Sequence, residues 1–174
     1  MSFDEWTVVP ATTRDIEHTA QYCRKMVRKK ATIAAGIAAV PLPGLDLITD
    51  VGMLTQLFQD INKAFGLTPD QIEKLSPHKK VYAYKAISAV GGFMVGKVIK
   101  KELIIKLLKM AGVRLSAGQL ARFVPLAGQA LSAAMTYSAL STLCEQHIKQ
   151  CMEVSDLIMK LPSPLPEEAH IIDV

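Results

Sequence analysis

The fold class is decided by residues 137–160, which read YSALSTLCEQHIKQCMEVSDLIMK. Apolar and weakly polar side chains recur there every three or four residues, and charged side chains fall between them. This spacing puts the two sets on different faces of an α-helix. The first set is Tyr137, Leu140, Cys144, His147, Cys151, Val154 and Ile158, and the second is Glu145, Lys149, Glu153, Asp156 and Lys160. The stretch therefore predicts an amphipathic helix, which we expect to run from about residue 129 towards residue 159.

The rest of the chain shows the same helical periodicity, and no segment has the alternating pattern of a strand. Cap residues, prolines and glycines give the expected helix limits. The predicted helices run from Thr12 or Thr13 to Val40, 45–65, 68–75, 77 to about 100, 102–110 and 116–123. The sequence thus predicts an all-α protein, a compact multi-helix bundle of helical hairpins.

The chain length and its ends indicate one domain. A chain of 174 residues is long enough to bury a core without disulfides or metals. We expect an N-terminal extension over residues 1–11, a single helical domain over 12–160 and a proline-rich acidic tail, extended or mobile, over 161–174. A weak internal repeat joins VPLPG at 40–44 to VPLAG at 124–128.

Composition and cysteine content indicate a cytoplasmic location. Half of the residues are apolar and 21% are charged, which excludes disorder of the whole chain. The acidic N-terminal stretch lacks the positive charge of a secretory signal. Three cysteines, an odd number, give no framework of paired disulfides.

A basic cluster precedes an uncharged apolar run at residues 31–40, although the net charge is only +4. The cluster consists of Arg24, Lys25, Arg28, Lys29 and Lys30. Cations beside an apolar segment attract anionic lipid headgroups. Each basic residue near the membrane surface contributes about 1 kcal/mol to this attraction. The alternative interpretation is a helix face that is simply solvated.

Only residues 123–144 lack charge over the roughly 20 residues that a spanning helix needs. Pro125, Gly128 and several hydroxyl side chains make insertion of that segment marginal. A conventional multispan protein is therefore not expected. Three other arrangements stay open: a re-entrant hairpin bent at residues 41–44, an amphipathic surface helix, and a soluble bundle with a very apolar centre.

Residues 91–98, GGFMVGKV, come close to a phosphate-binding loop. Val98 stands where that loop needs a hydroxyl for magnesium, and no strand precedes the segment. We therefore favour close helix packing at Gly92 and Gly96 over a nucleotide site.

Two groups of side chains have the spacing of a chemical site. Cys144, His147 and Cys151 share a helix face, and Cys23 or His18 could complete a metal site. Their position in the apolar stripe favours burial in the core instead. Asp46 and Asp50 lie four residues apart, and paired carboxylates can serve acid–base chemistry. Asp46 lies in the first turn of a helix, where the helix dipole favours an anion, and for Asp50 pairing with a lysine elsewhere in the fold is the favoured interpretation.

The sequence assigns no catalytic, cofactor-binding or metal-binding residue. The lysine- and arginine-rich stretches lack interleaved aromatic residues and any recognition motif, so nucleic acid is not an expected partner.

Residues 34–46, AAGIAAVPLPGLD, resemble the YcjF-type helical domain of unknown function, together with Thr49-Asp50, Gly91-Gly92 and VPLAG at 124–128. The resemblance covers about residues 29–154. Domains of this type are often appended to Era-like GTPases, and somewhat similar helical regions accompany immunity-related GTPases. The resemblance implies an all-helical, membrane-associated module without established enzymatic activity. This chain includes neither a GTPase domain nor the clear pair of spanning helices that YcjF-like membrane proteins place ahead of the domain.

We therefore expect a non-enzymatic helical module at the cytoplasmic face of a membrane. It would associate peripherally or by a hairpin, or dock a GTPase-like partner. The expected contact residues are Arg24, Lys25, Arg28, Lys29, Lys30, Pro41, Leu42, Pro43, Gly44, Asp46, Asp50, Pro125 and Gly128. The first alternative is a soluble bundle that binds a lipid or another apolar ligand. A second alternative is a metal enzyme that uses the Cys144, His147 and Cys151 face.

Overall fold

The computed structural model describes residues 9–38, 45–91, 94–110 and 125–160. These ranges form the helices α1 (Thr13–Ala38), α2 (Leu45–Ala64), α3 (Pro69–Glu73), α4 (Pro77–Val90), α5 (Lys101–Met110) and α6 (Pro125–Lys160). None of the described residues lies in a strand. The predicted all-α bundle is therefore confirmed.

Two of the predicted helix starts carry the side-chain caps that their sequences indicate. Before α1, Thr12 Oγ1 accepts the backbone N–H of Asp15 at 3.1 Å and donates to its carboxylate at 2.7 Å. Before α3, Thr68 Oγ1 accepts the N–H of Gln71 at 3.3 Å, while Gln71 Oε1 accepts the Thr68 N–H at 3.2 Å. The second pair is a reciprocal capping box, which satisfies two backbone donors that the helix itself leaves open.

The core lies between α1, α2 and α6, and the α1–α6 interface is the most extensive. The largest buried side chains of α2 are Leu54, Leu57, Phe58 and Ile61, and the buried Phe65 follows directly after the helix. In α6 the predicted apolar stripe is buried from Leu140 to Val154, but Tyr137 is 37% exposed. Tyr137 instead lines an open groove between α6 and α1.

Helix α4 ends ten residues earlier than the periodicity predicts, at Val90 instead of about Lys100. Gly91 adopts a left-handed conformation, with φ 65°, and terminates the helix. Gly96 also has a positive φ of 69°, and it lies in a turn rather than a helix. The expected helix-packing pair Gly92 and Gly96 is therefore wrong, because one of the two positions is not helical. Val98, expected on the apolar face, is 63% exposed.

Helix α6 begins at Pro125, before the predicted start near residue 129. Proline fits the first helical position, because its missing N–H would have no partner there. The repeat predicted at 40–44 and 124–128 cannot be matched by structure, since residues 39–44 lie outside the described ranges. The predicted helix at 116–123, most of the N-terminal extension and the tail from 161 onwards also lie outside them.

None of the described helices combines enough length with enough apolar character to cross a bilayer.

Candidate functional site

Helix α1 divides the basic cluster between two kinds of environment. Its buried face consists of Ile16, Ala20, Cys23, Val27, Ala31 and Ala34. Arg24 and Lys30 flank this buried face on opposite sides and are only partly exposed. The remaining three cations, Lys25, Arg28 and Lys29, are exposed. Of the five predicted contact cations, three are thus exposed and two are half-buried in ion pairs with α6 and α2.

Arg24 joins α1 to α6 through a two-point contact with Glu145. Its Nε lies 3.1 Å from Glu145 Oε2, and its Nη2 lies 3.0 Å from Oε1. Its Nη1 also donates to Glu17 Oε1 at 3.2 Å. The hydrogen bond with Glu145 raises the pKa of Arg24. The Arg24 charge therefore stabilises the helix interface and is already compensated.

Lys30 makes the corresponding connection from α1 to α2. Its Nζ lies 2.6 Å from Asp60 Oδ2, and both side chains are about three-quarters buried. Arg24 and Lys30 thus fix the rotation of α1 about its own axis. That rotation determines which cations face outward.

We call Lys25, Arg28 and Lys29 the outer basic face. Among the described residues, none of the three has an acidic side chain within ion-pair distance. Ile33 follows Lys29 by four residues, so it lies one turn along the same side of the helix. Its side chain is 51% exposed, which is high for a large aliphatic residue. This part of α1 therefore presents uncompensated positive charge next to an exposed apolar side chain.

A groove of about 470 Å³ runs between α1 and α6, beside the outer basic face. Arg24, Val27 and Arg28 line it from α1, and Tyr137, Ser141, Thr142, Glu145, Gln146, Ile148 and Lys149 line it from α6. Charged and hydroxyl-bearing side chains make up most of the lining. Sequence reasoning missed this groove, since it treated Tyr137 as part of the core and Lys149 as part of a solvated face.

His147 lies in a buried polar cluster behind the groove. Its Nε2 is 2.9 Å from Asn62 Oδ1, and Asn62 Nδ2 donates to the Met94 carbonyl at 3.1 Å. The Phe58 ring packs against the imidazole with centroids 4.5 Å apart. Burial lowers the pKa of His147 to about 4. The histidine is therefore neutral near pH 7 and connects three parts of the core.

The three cysteines are free thiols within the core. Burial raises the pKa of Cys23 and of Cys144 to about 12, and it raises that of Cys151 well above the usual thiol value. Such thiols are protonated at neutral pH and are poor nucleophiles. No three cysteine, histidine or acidic side chains in the described ranges are placed to hold a metal ion together.

The remaining predicted contact residues lie, entirely or with their side chains, outside the described part of the chain. Pro41, Leu42, Pro43 and Gly44 lie outside the described ranges. Asp46 and Asp50 belong to α2, and Pro125 and Gly128 to α6, but their side chains are outside the described part.

Comparison with known proteins gave no significant match to a family model, a curated protein or a solved structure. The resemblance to the YcjF-type domain therefore stays a prediction from the sequence.

Proposed function

We propose that this protein is a non-enzymatic helical module that binds peripherally to an anionic membrane surface, on the cytoplasmic side, through the outer basic face of α1. The observation that carries the proposal is the exposure of Lys25, Arg28 and Lys29 on one side of a helix, with no acidic partner among the described residues.

Electrostatics and burial of apolar surface both support this function. Three lysine or arginine side chains near an anionic surface contribute about 3 kcal/mol of attraction in total. Ile33 adds an apolar side chain that is already half exposed and can enter the headgroup region without unfolding the helix. The ion pairs of Arg24 and Lys30 keep α1 anchored to the bundle. The outer basic face is therefore presented by a folded domain and needs no ordering on binding.

The other predicted modes have less support from the described residues. A membrane hairpin would use residues 41–44, which lie outside them. The expectation of a GTPase-like partner depends on the family resemblance alone. Binding of an apolar ligand would need an enclosed cavity, whereas the α1–α6 groove is open to solvent, although apolar atoms make up the larger part of its surface. Peripheral binding to an anionic surface is thus the function that these residues favour.

Vesicle flotation tests the proposal. Purified protein is mixed with phosphatidylcholine vesicles that contain or lack 30 mol% phosphatidylserine, at low and at high salt. We expect flotation only with the anionic vesicles, and we expect high salt to reduce it because salt screens the attraction. Changing Lys25, Arg28 and Lys29 together to glutamine should weaken binding on the order of 100-fold, which corresponds to about 3 kcal/mol.

A matched control removes the same amount of charge elsewhere. Lys79, Lys85 and Lys101 are exposed on α4 and α5, and their triple glutamine variant has the same net charge. This control should keep most of the binding if the outer basic face is the contact surface. Equal loss in the two triple variants, or no flotation of the unmodified protein, would contradict the proposal.

A further inference from the structure

The α1–α6 groove has an uncompensated cation on each of its two walls. Arg28 belongs to α1 and Lys149 to α6, and both line the groove. Both side chains are exposed, and neither has an acidic partner within the described residues. The groove therefore concentrates positive charge from two different helices.

The single carboxylate in the lining does not cancel this charge. Glu145 receives hydrogen bonds from Arg24 on both of its oxygens, at distances of 3.0–3.2 Å. The Arg24–Glu145 pair is thus close to neutral as a unit. Its position between the walls also fixes the spacing of α1 and α6. Arg28 and Lys149 remain as the unpaired charges of the groove lining; Glu17, which also pairs with Arg24, is not part of that lining.

Hydroxyl groups supply further donors along the same groove. Ser141 and Thr142 line it from α6, and Tyr137 does so about one turn earlier. The Ser141 hydroxyl oxygen is itself buried and has no hydrogen-bond partner among the described residues, so the exposed hydroxyl groups along the groove are those of Tyr137 and Thr142. A phosphomonoester carries nearly two negative charges and three acceptor oxygens, which suits two cations together with hydroxyl donors.

We propose that this groove binds the phosphomonoester of a phosphorylated lipid headgroup, held between Arg28 and Lys149. The inference rests on the proposed membrane function for its choice of a lipid over free phosphate. Arg28 belongs to both surfaces, since it also forms part of the outer basic face. A headgroup in the groove would therefore sit directly beside the membrane contact. The groove volume of about 470 Å³ is in the range typical of small-molecule sites.

Isothermal titration calorimetry with soluble inositol 1,4-bisphosphate tests the groove without a membrane. The informative variant is Lys149→Gln, because Lys149 lines the groove and is not part of the outer basic face. Its matched control is Lys85→Gln, which removes one exposed charge on α4 that belongs neither to the groove nor to the outer basic face. We expect Lys149→Gln to weaken headgroup binding about tenfold, and Lys85→Gln to change it by less than about twofold. No binding of the headgroup, or equal effects of the two substitutions, would overturn the proposal.

Two further experiments distinguish headgroup binding in the groove from general membrane binding and from binding of free phosphate. Vesicles with phosphatidylinositol 4-phosphate are compared with phosphatidylserine vesicles of equal surface charge. The proposal expects stronger binding to the former, and loss of this preference in Lys149→Gln only. If both vesicles bind equally, the groove proposal fails while peripheral binding stands. If neither vesicle binds but the soluble headgroup does so through Lys149, the membrane function and the assignment to a lipid both fail, while the groove stands as a phosphomonoester site. Competition by inorganic phosphate at the same concentration as the headgroup would overturn the assignment to a lipid.

Discussion

His147 Nε2 lies 2.9 Å from Asn62 Oδ1 and joins α6 to α2 inside the core. Asn62 Nδ2 donates to the Met94 carbonyl, so Oδ1 is the oxygen that faces His147. A carbonyl oxygen only accepts, and His147 Nε2 must therefore carry the proton. Cys151 Sγ also lies 3.6 Å from the same oxygen. Asn62 thus provides hydrogen-bond partners for polar groups on α6 and in the segment after α4.

Replacing Asn62 with leucine should destabilise the fold. The substitution keeps the branched shape of the side chain, although leucine is larger, and it removes the amide, so the Met94 carbonyl and His147 Nε2 are left unpaired in the core. We expect the free energy of unfolding to fall by about 2–4 kcal/mol. Urea denaturation followed by circular dichroism measures this change. Gln59→Leu is the control, since Gln59 is exposed on the same helix and should alter stability by less than about 0.5 kcal/mol. An equally small effect of Asn62→Leu would show that the amide is not required.

The buried His147 should make stability fall in mild acid. Its folded pKa is about 4, below the unfolded value near 6.5, because burial disfavours the charged form. Between these two values the unfolded chain binds more protons, so the unfolding free energy decreases as the pH falls. Above pH 6.5 the neutral histidine makes its full contribution to the unfolding free energy. By pH 4 the unfolding free energy is lower by about 3 kcal/mol.

Urea titrations at several pH values test this dependence in wild type and in His147→Gln. Glutamine retains an amide donor for Asn62 but does not titrate, so the loss between pH 6.5 and pH 4 should become smaller. Gln59→Leu, which removes no titratable group, should keep the wild-type profile. An unchanged profile in His147→Gln would contradict the assignment.

Gly96→Ala should destabilise the turn after α4 by about 1–2 kcal/mol. The backbone φ of 69° disfavours any residue with a Cβ, and that Cβ would lie 2.5 Å from Ile87 Cδ1. Adding Ile87→Val removes the contacting methyl group and should restore part of the loss. Gly52→Ala should have the opposite effect and raise the free energy of unfolding by about 0.5–1 kcal/mol. Gly52 lies in a helix with open space around it, and alanine favours the helix more than glycine does. Thermal melts measure the stability of the two single variants and of the double variant. An unchanged melting temperature in Gly96→Ala would show that the turn tolerates a side chain.

Arg24→Lys should cost about 1 kcal/mol of stability although the charge is kept. Lysine cannot reproduce the two-point contact of the guanidinium with Glu145. The same change at Arg28, which is exposed, should leave the unfolding free energy within about 0.5 kcal/mol. Equal effects at the two positions in urea denaturation would mean that the ion pair adds no stability.

The native protein should react slowly with thiol reagents. Cys23, Cys144 and Cys151 are buried and free, and the pKa values of Cys23 and Cys144 are raised to about 12 by that burial. We expect almost no labelling by a maleimide at pH 7 in minutes, and three labels per chain after denaturation in guanidinium, as counted by mass spectrometry. Rapid labelling of the folded protein would show that α1 and α6 open readily.

Some features of the fold are visible in the sequence because they depend on neighbouring residues only. The Thr68–Gln71 capping box, the start of α3 at Pro69 and the buried stripe of α2 all follow from local spacing. The end of α4 was not foreseen, because periodicity does not show that Gly91 takes a left-handed conformation. Tyr137 fits the apolar stripe of α6 by spacing, yet it lines the groove where α6 meets α1.

The sequence by itself determined the helical class, most helix limits and a basic segment next to an apolar one. These are properties of periodicity, capping and local charge. Only the tertiary structure decided which of the five cations face outward, because Glu145 and Asp60, which pair with Arg24 and Lys30, lie far away along the chain. The groove that contains both Arg28 and Lys149 likewise exists only where α1 packs against α6. An exposed charge and a compensated charge look the same in sequence, since the difference depends on a partner from another helix.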